Sequence, residues 1–102
     1  MTRFSLIAAF CVFASPSLAA DEISKEDDCR YQADVVAAIQ AARLDRVREA
    51  KLAEAIAATN PVWPAQYNNA ITILGGPIYE IKRRDLKDID LGAQWVDACM
   101  SQ

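Results

Sequence analysis

The chain has 102 residues, 11 Lys and Arg against 14 Asp and Glu, a formal net charge of −3 at pH 7, and no histidine. Its acidic balance argues against nucleic acid and anionic lipid as primary partners. Without imidazole most catalytic constellations fall away, and Cys29 and Cys99 without a histidine leave a zinc site short of ligands.

Met1-Thr2-Arg3, a mostly apolar run from Phe4 to Phe13 and then Ala14-Ser15-Pro16-Ser17-Leu18-Ala19-Ala20 read as a cleavable signal peptide, residues 1–19. A cut after Ala19 leaves Ser17 and Ala19 as the small residues before it. The apolar run is short of the roughly 20 residues a membrane span needs, and a retained anchor is the alternative. Cys11 follows bulky Phe10 inside that run, a poor setting for lipid attachment. Removing residues 1–19 leaves 83 of the 102 residues as a single helical domain, 20–102. Arg3 is the only charge lost, so 10 basic residues then face 14 acidic ones, a net −4. The expected location is the periplasm or the medium, with no membrane span after cleavage.

Ser24-Lys25-Glu26-Asp27 resembles a capping box with Asp in place of Glu, so the first helix is expected to start at Ser24. Glu26, Asp27 and Asp28 then fall where the helix dipole favours acids. Tyr31, Val35, Ile39 and Ala42 form a stripe at helical spacing. Arg43-Leu44-Asp45-Arg46 interrupts it. Asp45 is expected to cap a second helix with Val47, Leu52, Ala55 and Ile56 inward, in a hairpin with the first; one long helix over 24–58 is the competing reading.

Asn60-Pro61-Val62-Trp63-Pro64 is the clearest break, because each proline pushes its predecessor out of the helical region. Pro64 suits the first turn of a third helix. Tyr67, Ala70, Ile71, Leu74, Ile78 and Ile81 stay in phase across Gly75-Gly76-Pro77, which predicts one kinked helix. Lys82-Arg83-Arg84 is expected in its final turn. Asp88 or Asp90 caps a last helix through Met100, with Trp95 and Cys99 on one face. The fold class is therefore all-α: a small bundle of about four helices, its terminal helices linked by a Cys29–Cys99 disulfide. In the chain-entropy account a loop of 70 residues makes that bond worth about 4.4 kcal/mol, a large share of a small domain's stability.

The remaining candidates each have a plain structural reading. Trp63, beside two prolines, either plugs the end of the bundle or stands exposed as an interface anchor. Lys82, Arg83, Arg84 and Lys87 either dock an anionic partner or form a solvated face diluted by Glu80, Asp85 and Asp88. Trp63, Arg83, Arg84 and Lys87 are thus the candidate interaction residues. The acidic runs Asp21–Asp28 and Asp85–Asp90 fall short of the calcium-loop pattern and read as caps and solvated faces. No cofactor and no metal are expected. No carboxylate lies in an apolar context that would tune it for acid–base work, so no enzyme is expected either.

Cys29, Gln32, Ile39, Ala42-Arg43 and Val47, with Tyr79, Trp95 and Cys99, resemble small periplasmic helical proteins of Proteobacteria that carry a terminal cysteine pair. The resemblance covers most of the mature chain and implies a periplasmic helical fold. In size, helicity and single disulfide the chain is also similar to acid-stress chaperones of the HdeA type. It lacks their aromatic residue before the first cysteine, and its cysteines lie further apart. The expected function is a non-enzymatic helical protein acting on an unidentified periplasmic protein, as accessory subunit, inhibitor or binding module. The alternatives are an acid-stress chaperone and a small-ligand module using an apolar pocket at the Gly75–Pro77 kink.

Overall fold

In the computed structural model, which describes residues 22–102, Ser24 opens the first helix, α1 (Lys25–Leu44). Its Oγ accepts the Asp27 amide at 3.1 Å, satisfying one orphan donor of the first turn beside Glu26, Asp27 and Asp28. The signal peptide and Cys11 lie outside the described residues. α1 buries Val35, Ile39 and Ala42 of the expected stripe, and Cys29, Ala33, Val36 and Gln40 as well. It therefore has partners on more than one side. Tyr31 is half-buried against Tyr67, ring centroids 5.2 Å apart.

Asp45 does not start a second helix; it ends the first. Its amide donates to the Ala41 carbonyl, and the Arg46 and Val47 amides close back onto the carbonyls of Arg43 and Ala42. These are the paired bonds of a Schellman motif, with Arg46 in the left-handed region at φ 64°. The turn tucks Val47 against the core, so the next helix starts later than Asp45 would allow. It begins as a 3₁₀ turn (Glu49–Lys51) and continues as α2 (Leu52–Ala57), which buries Leu52 and Ile56. The chain thus forms two helices here, not one long one.

After the proline break a 3₁₀ turn (Ala65–Tyr67) leads into α3 (Asn68–Tyr79), which runs as one helix through Pro77. Tyr67, Ile71 and Ile78 are buried, with Ala70, Leu74 and Ile81 packed partly against them. The expected continuation through Arg84 does not occur. α3 stops at Tyr79, Lys82 is extended at ψ 138°, and a single turn, α4 (Arg83–Leu86), follows. That bend returns the chain to the core, where Leu86 is fully buried. Asp90, of the two candidate caps, begins α5 (Leu91–Met100) by accepting the Ala93 amide at 3.0 Å.

The protein is all-α: the described residues form five helices and no strand. α1 is the spine. α5 packs on one side of it and α3 and α2 on another, while α3 and α5 scarcely touch each other. Gly92 lets α5 approach closely, since a Cβ there would lie 3.2 Å from the Ala33 carbonyl. The Cys29–Cys99 disulfide ties the two terminal helices together. Among the described residues no helix is long and apolar enough to cross a membrane.

Candidate functional site

The end of α1 and the stretch around α4 meet in a concavity of about 700 Å³ lined by Arg43, Leu44, Arg46, Lys82, Arg83, Arg84 and Lys87. Of the 11 basic residues in the chain, Arg3 precedes the described region, so six of the remaining ten converge here. They come from two segments about forty positions apart. This clustering sets a positive surface into a chain whose overall charge is negative.

Local structure explains how the cations are held. Arg43 is half-buried, its guanidinium 5.4 Å from the centroid of the Tyr79 ring, and donates from Nε and Nη2 to the Ile81 carbonyl at 3.4 Å. Tyr79 in turn donates its hydroxyl to the Val47 carbonyl at 2.8 Å, locking the end of α3 to the α1–α2 turn. Burial pushes the Tyr79 hydroxyl pKa up, against the opposing pull of Arg43. Arg46 occupies the helix-terminal position that glycine most often fills, where a Cβ carries a penalty of about 1 kcal/mol. Arg84 faces Asp85 at 3.9 Å, an exposed pair of little weight. Among the described residues Arg46, Lys82, Arg83 and Lys87 make no ion pair and no side-chain hydrogen bond, and Arg46, Lys82 and Lys87 are exposed.

The chemistry of such a lining is recognition of anions. Guanidinium groups present planar donor forks that match carboxylates and phosphates, and a concave wall focuses their field. Every ionisable group in the lining is a lysine or arginine.

A second depression, of about 250 Å³, lies between α3 and α5 and is almost wholly apolar. Leu74, Pro77, Ile78 and Ile81 form one wall, Leu91, Gln94, Trp95 and Ala98 the other, and Val36 of α1 lies between them. Trp95 sends its indole N–H to Gln32 Oε1 at 3.0 Å. Gly75 and Gly76 are not part of this groove; they border α2 in a separate cleft with Glu49 and Leu52.

The candidate residues separate accordingly. Arg83, Arg84 and Lys87 come together in the concavity, joined by Lys82. Trp63 lies apart in the core, 9% exposed, its indole N–H held by Asn68 Oδ1 at 2.9 Å. Arg43 and Arg46 complete the concavity; the sequence shows them only in the stretch that interrupts the first stripe, and basic residues flanking a turn are the available signal. Cys29 is fully buried and bonded to Cys99. Among the described residues no three Cys, Asp or Glu side chains gather as a metal site would require. Asp90 is used as a cap.

Compared with models of known protein families, with curated proteins and with solved structures, the chain matches none.

Proposed function

We propose that the chain is a non-enzymatic binding module of the periplasm or the extracellular space, which docks an acidic segment of a partner protein in the basic concavity. The observation that carries this reading is the convergence of six cations, five of them free of ion pairs among the described residues, on one hollow of an acidic chain. Concentrating like charges disfavours the isolated fold, and an acidic partner relieves that repulsion while gaining charge-assisted hydrogen bonds. The Cys29–Cys99 bond supports an oxidising compartment, where such bonds persist. The apolar leader read from residues 1–19 supports the same placement.

The test is fluorescence anisotropy of a labelled oligoglutamate peptide titrated with the oxidised protein at low and at physiological salt. Binding that weakens with salt, and weakens at least tenfold in Arg83→Glu or Lys87→Glu, is expected. Arg46→Gly is the informative companion, because it removes a cation while relieving the left-handed backbone, so lost binding in it cannot be blamed on unfolding. No saturable binding at low salt, or binding indifferent to all three substitutions, would overturn the reading.

A further inference from the structure

The basic concavity and the apolar groove are neighbours, and the boundary between them is sharp. Ile81 is a wall of the groove, and the next residue, Lys82, lines the concavity. On α1, Val36 of the groove and Arg43 of the concavity are seven residues apart, two turns along the same face. At 1.5 Å per residue that separation is about 10.5 Å. The groove exists because α3 and α5 both rest on α1 without closing on each other. Trp95 lines it with its N–H already satisfied by Gln32, which leaves the ring available for apolar contact.

We infer that the two depressions form one composite site, which takes a partner segment bearing a run of acidic residues and, about three extended residues away, a large apolar side chain that seats against Trp95. The inference rests on the docking reading above and adds to it the form of the partner. Charge complementarity selects the occupant. Six cations are more than the single head group of an amphiphile can answer, whereas several carboxylates on one segment match them. The groove, at about 250 Å³, lies below the roughly 300–1,000 Å³ typical of small-molecule pockets and suits a side chain or two.

The oxidised protein is titrated with three labelled peptides: an acidic run alone, the same run with Phe and Leu at the stated spacing, and the apolar part alone. Anisotropy reports affinity and tryptophan emission reports the groove. The composite peptide is expected to bind roughly tenfold tighter than the acidic run and to shift the emission to the blue, a change lost in Trp95→Phe. Ala98→Glu, an exposed change on the groove wall, should abolish the tenfold gain and leave affinity for the acidic run within about twofold. Lys87→Glu should weaken both acidic peptides.

If the acidic run binds but the apolar residues add nothing, or the gain survives Ala98→Glu, the composite site is overturned and the docking reading stands. If neither acidic peptide binds at low salt, both fall. If decanoate shifts the emission saturably while the composite peptide does not, the groove serves a small amphiphile and the inference is wrong.

Discussion

Gln40→Leu is the substitution that most directly tests how this bundle is held. Gln40 lies about one turn before the end of α1, 9% exposed, and its side chain joins that helix to the chain leading into α5. Its Nε2 donates to the carbonyls of Leu86 and Ile89, both at 2.8 Å, and its Oε1 accepts the Leu91 amide at 3.2 Å. Leucine fills similar space but leaves all three backbone groups without that partner. A buried group left unsatisfied costs about 1–3 kcal/mol. The Leu86 bond is buried, while water reaches the Ile89 and Leu91 groups and recovers part of their loss. A destabilisation of about 3 kcal/mol is therefore expected, lowering Tm by roughly 12–24 °C for a domain of this size. Urea unfolding followed by circular dichroism should show a lower midpoint at unchanged m, and hydrogen exchange should rise first in α5. A loss below about 1 kcal/mol would refute the reasoning. Gln40→Glu sharpens the test. It keeps an acceptor for Leu91 but turns a carboxylate on two carbonyls, which raises its folded pKa above the unfolded value of about 4.3. Stability in that variant is whole below the unfolded pKa and is lost as pH rises through the folded one.

Reduction of the disulfide, or Cys99→Ala, is expected to cost about 4 kcal/mol and to release α5, whose packing is almost entirely on α1; thermal melts that coincide with and without reductant would contradict this. Burial and then the hydrogen bond to Asp28, 2.7 Å long, push the Tyr67 hydroxyl pKa up to about 12. The folded state thus keeps a proton that the unfolded chain gives up from about pH 10, so stability is whole below that point and falls as pH rises toward 12. Tyr67→Phe should flatten the decline in urea midpoint across that range, and an unaltered slope would show that Tyr67 is not its source. Gly76→Ala, whose added methyl meets nothing closer than Glu49 Oε1 at 3.6 Å, should stabilise α3 by about 0.5–1 kcal/mol. Gly75→Ala meets Leu52 Cδ2 at 2.8 Å in the core and should lose that gain or more to overpacking. Equal unfolding midpoints for the two variants would mean that the α2–α3 contact is looser than described.

The features legible from residues alone are those decided within a few positions of the chain. Ser24 and Asp90 cap helices because a side-chain oxygen meets an amide three residues on, wherever the rest of the protein lies. The break at Asn60–Pro64 follows from ring geometry, and the expected pair Cys29 and Cys99 is bonded. Even local rules failed where two of them competed: Asp45 suits a helix start, but the Schellman turn that tucks Val47 inward ended α1 there instead.

The tertiary structure alone decided the rest. No motif in the sequence marks Gln40, and it is the joint of the bundle because α1 is packed by α5 on one side and by α2 and α3 on another. Lys82, Arg83, Arg84 and Lys87 read as a charge run diluted by acids; with α3 ending at Tyr79, the following turn faces Arg43 and Arg46 across the concavity. Capping and ring constraints act over a few residues, whereas the meeting of positions 43 and 83 depends on the angles at which whole helices dock, which side-chain packing sets and no short stretch of sequence encodes.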